Sequence, residues 1–581
     1  MDSNKKYWKG LEELQQTPAY VASKQAEFAE PIPVENVLEG EGLNTRTPRR
    51  DFLKALGFGV GAVTLAACER TPVHKSIPYL IKPEEITPGI PNFYASTFNG
   101  QSVLVRTREG RPIMIEANPS AIGMNRGTGA ATQAAVLDLY DTSKLKEPQY
   151  QGQNSSWANL DGHVVAALNS AAAAGKQIRV ISSTLNSPSA LAAFAKFAEK
   201  YPTASLVEVD AVSYSGIIKA NEENFGKAVL PKYQFDQADV IVSVAADFLG
   251  SWISGEEFTQ QYVQNRDHVS LKKGKMSRHI QFETGLSMTG TNADARIAIK
   301  PSEEGPLLIA LFNAITGQSL PGALSGNEKA QTALKLAAQE LQAARGKALV
   351  VAGSNDPAVQ SIVNGINVAL GSYGSTINLD QFSNQYKGTD EAFTQFLREA
   401  EQGQVGVAFF LNSNPLYDYY QADAVKSALE KVDFTLSFSD RLDETAAELT
   451  AVAPMPNFLE SWGDANPFEG YYTIVQPTIN PIYNTRQAEQ SLLIWAGEQT
   501  DYYTFVKDNW EQNILSGSAK TWVDVLQTGF EYKGERAANS YSFDLSTLSA
   551  AASKVAANSQ SIAGEVEIQL YQSNSLKDGK Q

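Results

Sequence analysis

Apolar and polar side chains alternate first with a period of two and later in longer apolar runs. Residues 102–106 and 112–116 alternate around the turn 109–111, which predicts a β-hairpin. Further along the chain, short apolar runs are each followed by a segment with helical spacing. A small β element is therefore expected to precede a series of strand–helix units.

The strand–helix pattern occurs in two series. The predicted strands are 177–183, 205–209, 238–244 and 279–283 in the first series and 347–353, 405–411 and 434–438 in the second. After the first strand, Ser187 and Pro188 provide a helix N-cap and a first-turn proline before a helix over 190–200. Apolar strands separated by helices indicate parallel sheets covered on both faces, so the fold class is α/β with two parallel-sheet units.

The predicted strand ends also indicate where a ligand would bind. Ligands of parallel sheets usually lie at the carboxyl ends of the strands. The loops that follow strands here are 246–252, 353–357 and 412–417. These loops are the candidate lining of a crevice.

These patterns divide the chain into five segments. They are an N-terminal extension with an export signal (1–68), a proline-rich tether and small β element (69–150), a first α/β unit (151–345), a second α/β unit (346–540) and a C-terminal extension (541–581). The tether carries five prolines between residues 72 and 91, which is typical of an extended spacer.

Residues 49–68 predict where the protein works. Arg49 and Arg50 precede the apolar or small residues 55–67, and Cys68 follows, as in a twin-arginine export signal closed by a lipobox. Thirteen helical residues rise about 20 Å, which is short of the ~30 Å hydrocarbon core. We therefore expect export and lipid anchoring through Cys68 on the periplasmic side of the bacterial inner membrane. The alternative is a buried helix with a chance cysteine.

The net charge and the numbers of cysteine and histidine residues argue against several kinds of binding site. The net charge of −16 argues against nucleic-acid binding and suits a basic protein partner, although solubility explains it equally. Cys68 is the only cysteine, so disulfides, thiolate zinc sites, iron–sulfur clusters and covalent haem are not expected in this chain. The four histidines, at 74, 163, 268 and 279, show no metal-ligand spacing, and no metal or cofactor site is predicted.

Several short motifs between about 95 and 500 resemble the molybdopterin oxidoreductase superfamily, and within it the molybdopterin-like portion of the B subunit of bacterial alternative complex III. The motifs are 110–113 (Gly-Arg-Pro-Ile), 125–127 (Asn-Arg-Gly), 137–141 (Leu-Asp-Leu-Tyr-Asp), 412–415 (Asn-Ser-Asn-Pro), 443–445 (Asp-Glu-Thr) and 459–464 (Leu-Glu-Ser-Trp-Gly-Asp). The phrases 246–250 and 289–294 resemble the complex III branch rather than the catalytic enzymes.

The sequence also departs from that family. The resemblance implies a cluster-ligating cysteine after the Asn-Arg-Gly turn, and Gly129 stands at that position. Nothing after about 500 is typical of the pterin-binding β-barrel of catalytic relatives. A cysteine-rich ferredoxin-like domain usually follows in the complex III subunits; here it would belong to another polypeptide or to a longer form of this one.

The resemblance leaves two groups of candidate residues. Ser213 and Ser215 lie near the region where some relatives use a serine to bind molybdenum; the alternative is that they are loop or helix-cap hydroxyls. Asp443, Glu444 and Asp464 could act as paired acid/base carboxylates or be turn and helix-start residues, and we favour the structural interpretation. Trp252 and Trp462 are expected to be packing or interface aromatics.

The resemblance implies a scaffold subunit of a quinol-oxidising complex, with no catalytic or cofactor-binding residue of its own. The expected partners are a multihaem cytochrome c, a ferredoxin-like iron–sulfur domain, integral membrane quinol-binding subunits and lipoproteins. Two alternatives remain: an active molybdenum bis-pterin oxidoreductase with serine or hydroxide ligation, and an exported lipoprotein that binds a small molecule in the crevice.

Overall fold

The computed structural model describes residues 87, 89–121, 127–272, 274, 276–534, 541–559, 566–577 and 579. Arg49, Arg50 and Cys68, most of the predicted tether and the Asn125-Arg126 part of one motif lie outside the described residues. None of the helices in the described ranges combines the length and the apolar character needed to cross a bilayer.

The nine predicted strands are present to within a few residues, and ten further strands, which the sequence did not predict, bring the described total to 19. They are β1 (Asn92–Phe98), β2 (Gln101–Arg108), β3 (Arg111–Ala117), β4 (Gln149–Tyr150), β5 (Gln153–Asn154), β6 (Gln177–Ser182), β7 (Ala204–Glu208), β8 (Leu230–Tyr233), β9 (Val240–Val244), β10 (Arg278–Glu283), β11 (Ala295–Ala298), β12 (Ala348–Ala352), β13 (Ile377–Ser383), β14 (Val405–Leu411), β15 (Phe434–Ser439), β16 (Ala451–Pro454), β17 (Gly463–Phe468), β18 (Tyr471–Val475) and β19 (Phe530–Tyr532).

Helices connect most of these strands. They are α1 (Ala130–Ala134), α2 (Trp157–Ala173), α3 (Pro188–Lys200), α4 (Ser215–Phe225), α5 (Gly255–Gln264), α6 (His268–Lys272), α7 (Met288–Thr291), α8 (Glu304–Thr316), α9 (Glu328–Ala343), α10 (Pro357–Leu370), α11 (Asp390–Glu401), α12 (Pro415–Asp418), α13 (Ala422–Leu429), α14 (Glu444–Glu448), α15 (Ala488–Ala496), α16 (Tyr502–Asn509), α17 (Trp522–Thr528) and α18 (Thr547–Asn558). Short 3-10 turns occupy Ala135–Tyr140, Phe235–Gln237, Pro301–Glu303 and Phe458–Glu460, and a π turn occupies Trp510–Ile514.

The predicted hairpin is present and belongs to a three-stranded antiparallel sheet. β2 and β3 pair with Val103 opposite Ala117, and β1 adds a third strand beside β2. The apolar face of this sheet packs on the 3-10 turn through Val105, Ile115 and Leu139. The small N-terminal β element is therefore confirmed.

Two parallel sheets form the body of the fold. One has the order β11-β10-β9-β12, and all of its pairings are parallel. The other has the order β5-β4-β16-β15-β14-β6-β7 and is parallel from β16 to β7, with β4 and β5 as an antiparallel edge. The predicted α/β class with two parallel sheets is confirmed. A third sheet, β19-β18-β17-β13-β8, is antiparallel.

The two series of strands do not form separate sheets. β6 pairs with β14, so that Val180 lies opposite Phe409, and β12 joins β9. Each parallel sheet thus takes strands from both sides of the boundary predicted at 345/346. The apolar pattern indicates that a buried strand exists but carries no information about its partner, because all such strands are similar in composition.

Local sequence signals position the helices that follow the strands. Ser187 caps α3 by accepting from the Ala190 backbone N–H at 3.0 Å, and Pro188 occupies the first turn, as predicted. Asp356 caps α10 in the same way, at 2.8 Å from the Ala358 nitrogen. Side-chain caps of this kind satisfy backbone donors that the helix itself leaves unpaired.

Candidate functional site

A crevice of about 630 Å³ lies at the carboxyl ends of the parallel strands. Ser183 follows β6, Asp210 follows β7, Ser251 follows β9 and Asn412 follows β14, and all four line it. The loops predicted at 246–252 and 412–417 contribute to this lining. The third predicted loop, 353–357, instead begins α10.

On one side of the crevice, carboxylates accept hydrogen bonds from backbone N–H groups. Asp210 accepts from the Thr184 nitrogen at 2.8 Å, the Thr184 hydroxyl at 2.7 Å and the Gly388 nitrogen at 3.0 Å. Glu208 accepts from the Leu185 nitrogen at 2.8 Å. Burial raises the pKa of Glu208, and the Leu185 hydrogen bond and Lys387 oppose that shift. The donors after β6 are therefore already used within the chain.

Asp464 lies at the N-terminus of α3. Its carboxylate accepts from the Ser187 hydroxyl at 2.5 Å, the Ser189 hydroxyl at 2.5 Å and the Ser189 nitrogen at 3.1 Å, and from the Trp510 indole at 2.9 Å. Burial raises the pKa of Asp464, and these donors lower it again. The geometry gives Asp464 a structural task, because its oxygens satisfy the first turn of α3.

Glu256 fills the space beside Gly129, the position at which the family resemblance implies a cluster-ligating thiolate. A methyl group at Gly129 would overlap the Glu256 carboxylate. Glu256 also forms an ion pair with Lys577 at 3.5 Å. A side chain at 129 could project here only if Glu256 moved.

Ser213 and Ser215 do not present free hydroxyls to the crevice. Both donate to Oδ2 of Asp390, at 3.1 Å and 2.8 Å, and Ser215 begins α4. Neither serine belongs to the crevice lining. This arrangement is that of hydroxyls at a helix start and does not fit a molybdenum ligand.

Asp443 and Glu444 brace the loop that follows β14. Asp443 caps α14 by accepting from the Ala446 nitrogen at 2.8 Å. Glu444 accepts from the Asn414 side chain at 2.8 Å, and Asn414 in turn accepts from the Thr445 hydroxyl at 2.7 Å. Both carboxylates therefore have structural partners, and they are not arranged as an acid/base pair facing the crevice.

Two of the four histidines and both tryptophans singled out in the sequence pack against other side chains, whereas His268 is exposed and His74 lies outside the described residues. His163 stacks on Tyr150 at 4.0 Å, and burial lowers the pKa of His279 to about 4. Trp252 is buried in an aromatic cluster, and Trp462 packs 4.6 Å from Tyr503. Within the described ranges, no group of three or more His, Cys, Asp or Glu side chains could hold a metal ion.

Sequence reasoning missed Asp210 and Glu256, which line the crevice, and Glu208, which binds the Leu185 nitrogen. The sequence pattern that could have indicated them is a carboxylate within two residues of a strand end or at a helix start. This pattern is common in α/β folds. Sequence reasoning also missed the backbone strain at the lining, where Ile253 has φ 56° and Asn412 φ 48°. A β-branched residue in the left-handed region is unusual, and such strain concentrates at functional or formerly functional sites.

The hydrogen-bond donors and positively charged side chains at the crevice do not fit a pair of pterin nucleotides. Their phosphates would need backbone N–H groups or Lys and Arg side chains as partners. The N–H groups after β6 and at the start of α3 are bound to Asp210, Glu208 and Asp464. Among the described residues of the lining, Lys577 is the sole lysine or arginine, and Glu256 neutralises it.

Similarity to known proteins helps to identify the fold. No family model matches the sequence. The chain is 22% identical over 455 residues to the "menaquinone reductase, molybdopterin-binding-like subunit" of Nitratidesulfovibrio vulgaris, and the match covers 69% of this chain and 63% of that protein. The chain thus spans less than two thirds of that relative's length.

A solved structure gives independent support for the architecture. Acetylene hydratase from Pelobacter acetylenicus superposes with a TM-score of 0.58 and 11% sequence identity, over 76% of this chain and 74% of that one. At this identity the likeness concerns the fold alone. The fold is therefore that of the molybdopterin oxidoreductases, which the motifs between 95 and 500 predicted.

Proposed function

We propose that this chain is a subunit of a membrane-associated respiratory complex that exchanges electrons with quinone. Within that complex, of the alternative complex III type, it is a scaffold without a redox centre of its own. It positions a multihaem cytochrome c, a ferredoxin-like iron–sulfur domain and integral quinol-binding subunits for electron transfer. The relative named as a subunit of menaquinone reductase supports the quinone-linked context.

One observation carries the scaffold role: the carboxylates of this chain occupy the anion-binding positions of the crevice. Asp210 holds the donors after β6, and Asp464 holds the first turn of α3. A phosphate that entered would displace these carboxylates and meet their negative charge in a partly buried site. The fold is thereby stabilised without a cofactor, which suits a structural subunit.

Metal and pterin analysis of the complex purified from native membranes tests this role. We expect molybdenum and tungsten far below one atom per chain, no pterin after oxidative extraction, and haem and iron–sulfur absorbance that follows other subunits identified by mass spectrometry. Molybdenum stoichiometric with this chain would overturn the scaffold role. A purified chain without any haem- or quinone-binding partner would overturn the proposed complex.

The direction of electron flow is a separate part of the proposal. The family resemblance implies oxidation of quinol, whereas the relative is named for reduction of menaquinone. Assays of the same preparation with a reduced quinol and an oxidised cytochrome, and then with the opposite pair, distinguish the two. Activity only toward quinone reduction would contradict quinol oxidation while leaving the subunit role intact.

We also propose that the chain is exported through the Arg49-Arg50 signal and anchored through lipidated Cys68 on the periplasmic face. One acyl chain holds a protein to a membrane only marginally, so partner contacts would share the anchoring. Mass spectrometry of the mature N-terminus should find lipid on Cys68, and Cys68→Ser should abolish it. Arg49→Lys with Arg50→Lys should retain the unprocessed chain in the cytoplasm. An unmodified Cys68 in membrane-bound protein would refute the anchor.

A further inference from the structure

The C-terminal segment 566–577, here called the strap, contributes to the wall of the crevice. Gln572 and Lys577 of the strap line the crevice itself. The strap is fixed at its beginning by two polar contacts. Glu567 accepts from the Ser302 nitrogen and hydroxyl, both at 2.9 Å, and Gln569 accepts from the Gly285 nitrogen at 3.1 Å.

Two further contacts fix the other end. Asn574 donates to Asp247 at 3.4 Å, and Lys577 pairs with Glu256 at 3.5 Å. All four anchoring side chains are polar, and they reach the loops after β9 and β10 and the starts of α5 and α8. The strap is therefore attached to the body by directional hydrogen bonds and an ion pair rather than by a buried apolar face.

The apolar side chains of the strap point away from the body. Exposure alternates with the anchors: residues 566, 568 and 570 are exposed, and 567 and 569 are partly covered, as in an extended chain with two faces. The exposed apolar residues, which we call the ridge, are 70–91% exposed: Val566, Ile568, Leu570, Tyr571 and Leu576.

The ridge is large for a surface without a partner. At roughly 150 Å² or more for each large apolar residue, the five present on the order of 600–700 Å². Each partner in a standard interface buries ~800 Å². The ridge therefore approaches one side of a stable protein interface.

Charge identifies the kind of partner. The described strap carries two charged residues, Glu567 and Lys577, and both are used as anchors, so the ridge is neutral. Surfaces that bind membranes usually add unpaired lysine or arginine to an apolar face, and this chain has a net charge of −16. A neutral, apolar protein groove complements the ridge, and an anionic lipid surface does not.

We propose that the ridge is the docking surface for a neighbouring subunit, which covers it with an uncharged apolar groove. The neighbour belongs to the quinone-linked complex, so this inference rests on the proposed function. An alternating row of side chains on a fixed segment is a mode that protein grooves recognise.

Paired substitutions in the full chain within the native complex test this docking. Leu570→Ser with Tyr571→Ser removes the centre of the ridge. Leu137→Ser with Tyr140→Ser is the matched control, because those residues are of the same types and are 65% and 63% exposed on another element. Since the ridge is exposed, both variants should keep the wild-type melting temperature.

With this chain as affinity bait, we expect the ridge pair to lower the recovery of haem- or quinone-binding subunits per chain by about tenfold, equivalent to ~1.4 kcal/mol of binding free energy. The control pair should leave recovery unchanged. A photocrosslinker on Tyr571→Cys should label one subunit of the complex. Equal recovery from both variants would overturn the docking surface, whereas loss of all partners from the wild type would instead overturn the proposed function.

The same variants also distinguish two other occupants of the ridge. Flotation with phosphatidylcholine–phosphatidylglycerol vesicles that depended on Leu570 and Tyr571 would make the ridge a membrane contact. A self-association seen by sedimentation and abolished by the ridge pair would make a second copy the occupant. Either result would overturn a heterologous partner groove.

Discussion

Gly129 and Glu256 show how a single side chain closes the space beside a neighbouring backbone position. Gly129 has φ −76°, an ordinary extended conformation, so a larger residue is excluded there only by the Glu256 carboxylate. That carboxylate is the end of a flexible side chain and is held by Lys577. The closure is therefore local and can be measured as a pairwise coupling.

Gly129→Ala should lower the free energy of unfolding by about 1 kcal/mol, because Glu256 must leave Lys577 and the first turn of α5. In a Glu256→Ala background the same substitution should be neutral, since the obstructing group is gone. Urea denaturation of the four proteins of this double-mutant cycle measures the difference. An identical effect of Gly129→Ala in both backgrounds would show that Glu256 is not the obstacle.

Glu304, at the start of α8, gives a prediction about pH. Burial raises the pKa of Glu304 from 4.5 to about 7. The folded state therefore binds the proton more tightly than the unfolded state, and stability falls as pH rises from about 4.5 to 7. Because Glu304 is partly exposed, the loss is of order 1–3 kcal/mol.

Glu304→Gln should remove that loss: its unfolding free energy should equal the wild type near pH 4.5 and exceed it at pH 8. Denaturant titrations at both pH values provide the measurement. Glu328→Gln, at an exposed carboxylate in the first turn of α9, is the control and should show no such pH-dependent gain. A Glu304→Gln variant no more stable than wild type at pH 8 would contradict the cost of burial.

The roles of individual carboxylates were only partly predictable from sequence. The interpretation of Asp443 as a helix-start residue came from the family resemblance, and the structure places it as the cap of α14. Asp464 accepts from Ser189, which lies 275 residues earlier in the chain. No local pattern predicts that pairing, because it depends on how β17 packs against α3.

At the level of elements, a close backbone contact determines how α4 packs. Gly216 at the start of α4 donates its N–H to the Asn355 side chain at 2.8 Å, and its Cα lies against the Asn355 carbonyl. A methyl group there would overlap backbone atoms, which cannot move aside as a side chain can. This contact fixes α4 against the loop before α10.

Gly216→Ala should therefore destabilise the protein by about 2 kcal/mol or more through overpacking. Gly162→Ala, within α2 and facing open space, should stabilise it by about 0.5–1 kcal/mol, because alanine favours a helix. Thermal and urea unfolding of both variants give the two signs. A neutral Gly216→Ala would mean that α4 and the loop at Asn355 separate easily.

The positions of nine strands could be predicted from the sequence, whereas the strand with which each parallel strand pairs could not. The predicted strand 405–411 coincides with β14, and 205–209 is displaced by one residue from β7. Their type follows from continuous apolar runs bounded by turns. Pairing of β14 with β6 required information about the whole chain, since any buried parallel strand would satisfy the same composition.

For the whole molecule, the exchange of strands makes the two halves of the sequence interdependent. The larger parallel sheet places β14 and β15, from the second half, beside β6 and β7 from the first. The smaller sheet closes with β12 on β9. Neither sheet can be completed by the residues on one side of 345, so the two sheets are expected to fold and unfold as one cooperative unit.

Separate expression of 84–345 and 346–581 tests this interdependence. Each half should lack cooperative unfolding by circular dichroism and show the narrow amide dispersion of an unfolded chain, because β6 loses its neighbour β14 and β9 loses its neighbour β12. Coexpressed halves should associate and recover a single transition near that of residues 84–581. Independent cooperative folding of 84–345 would restore the domain boundary suggested by the sequence. It would also mean that the crevice lies between two separable bodies, whose relative motion could then open or close it.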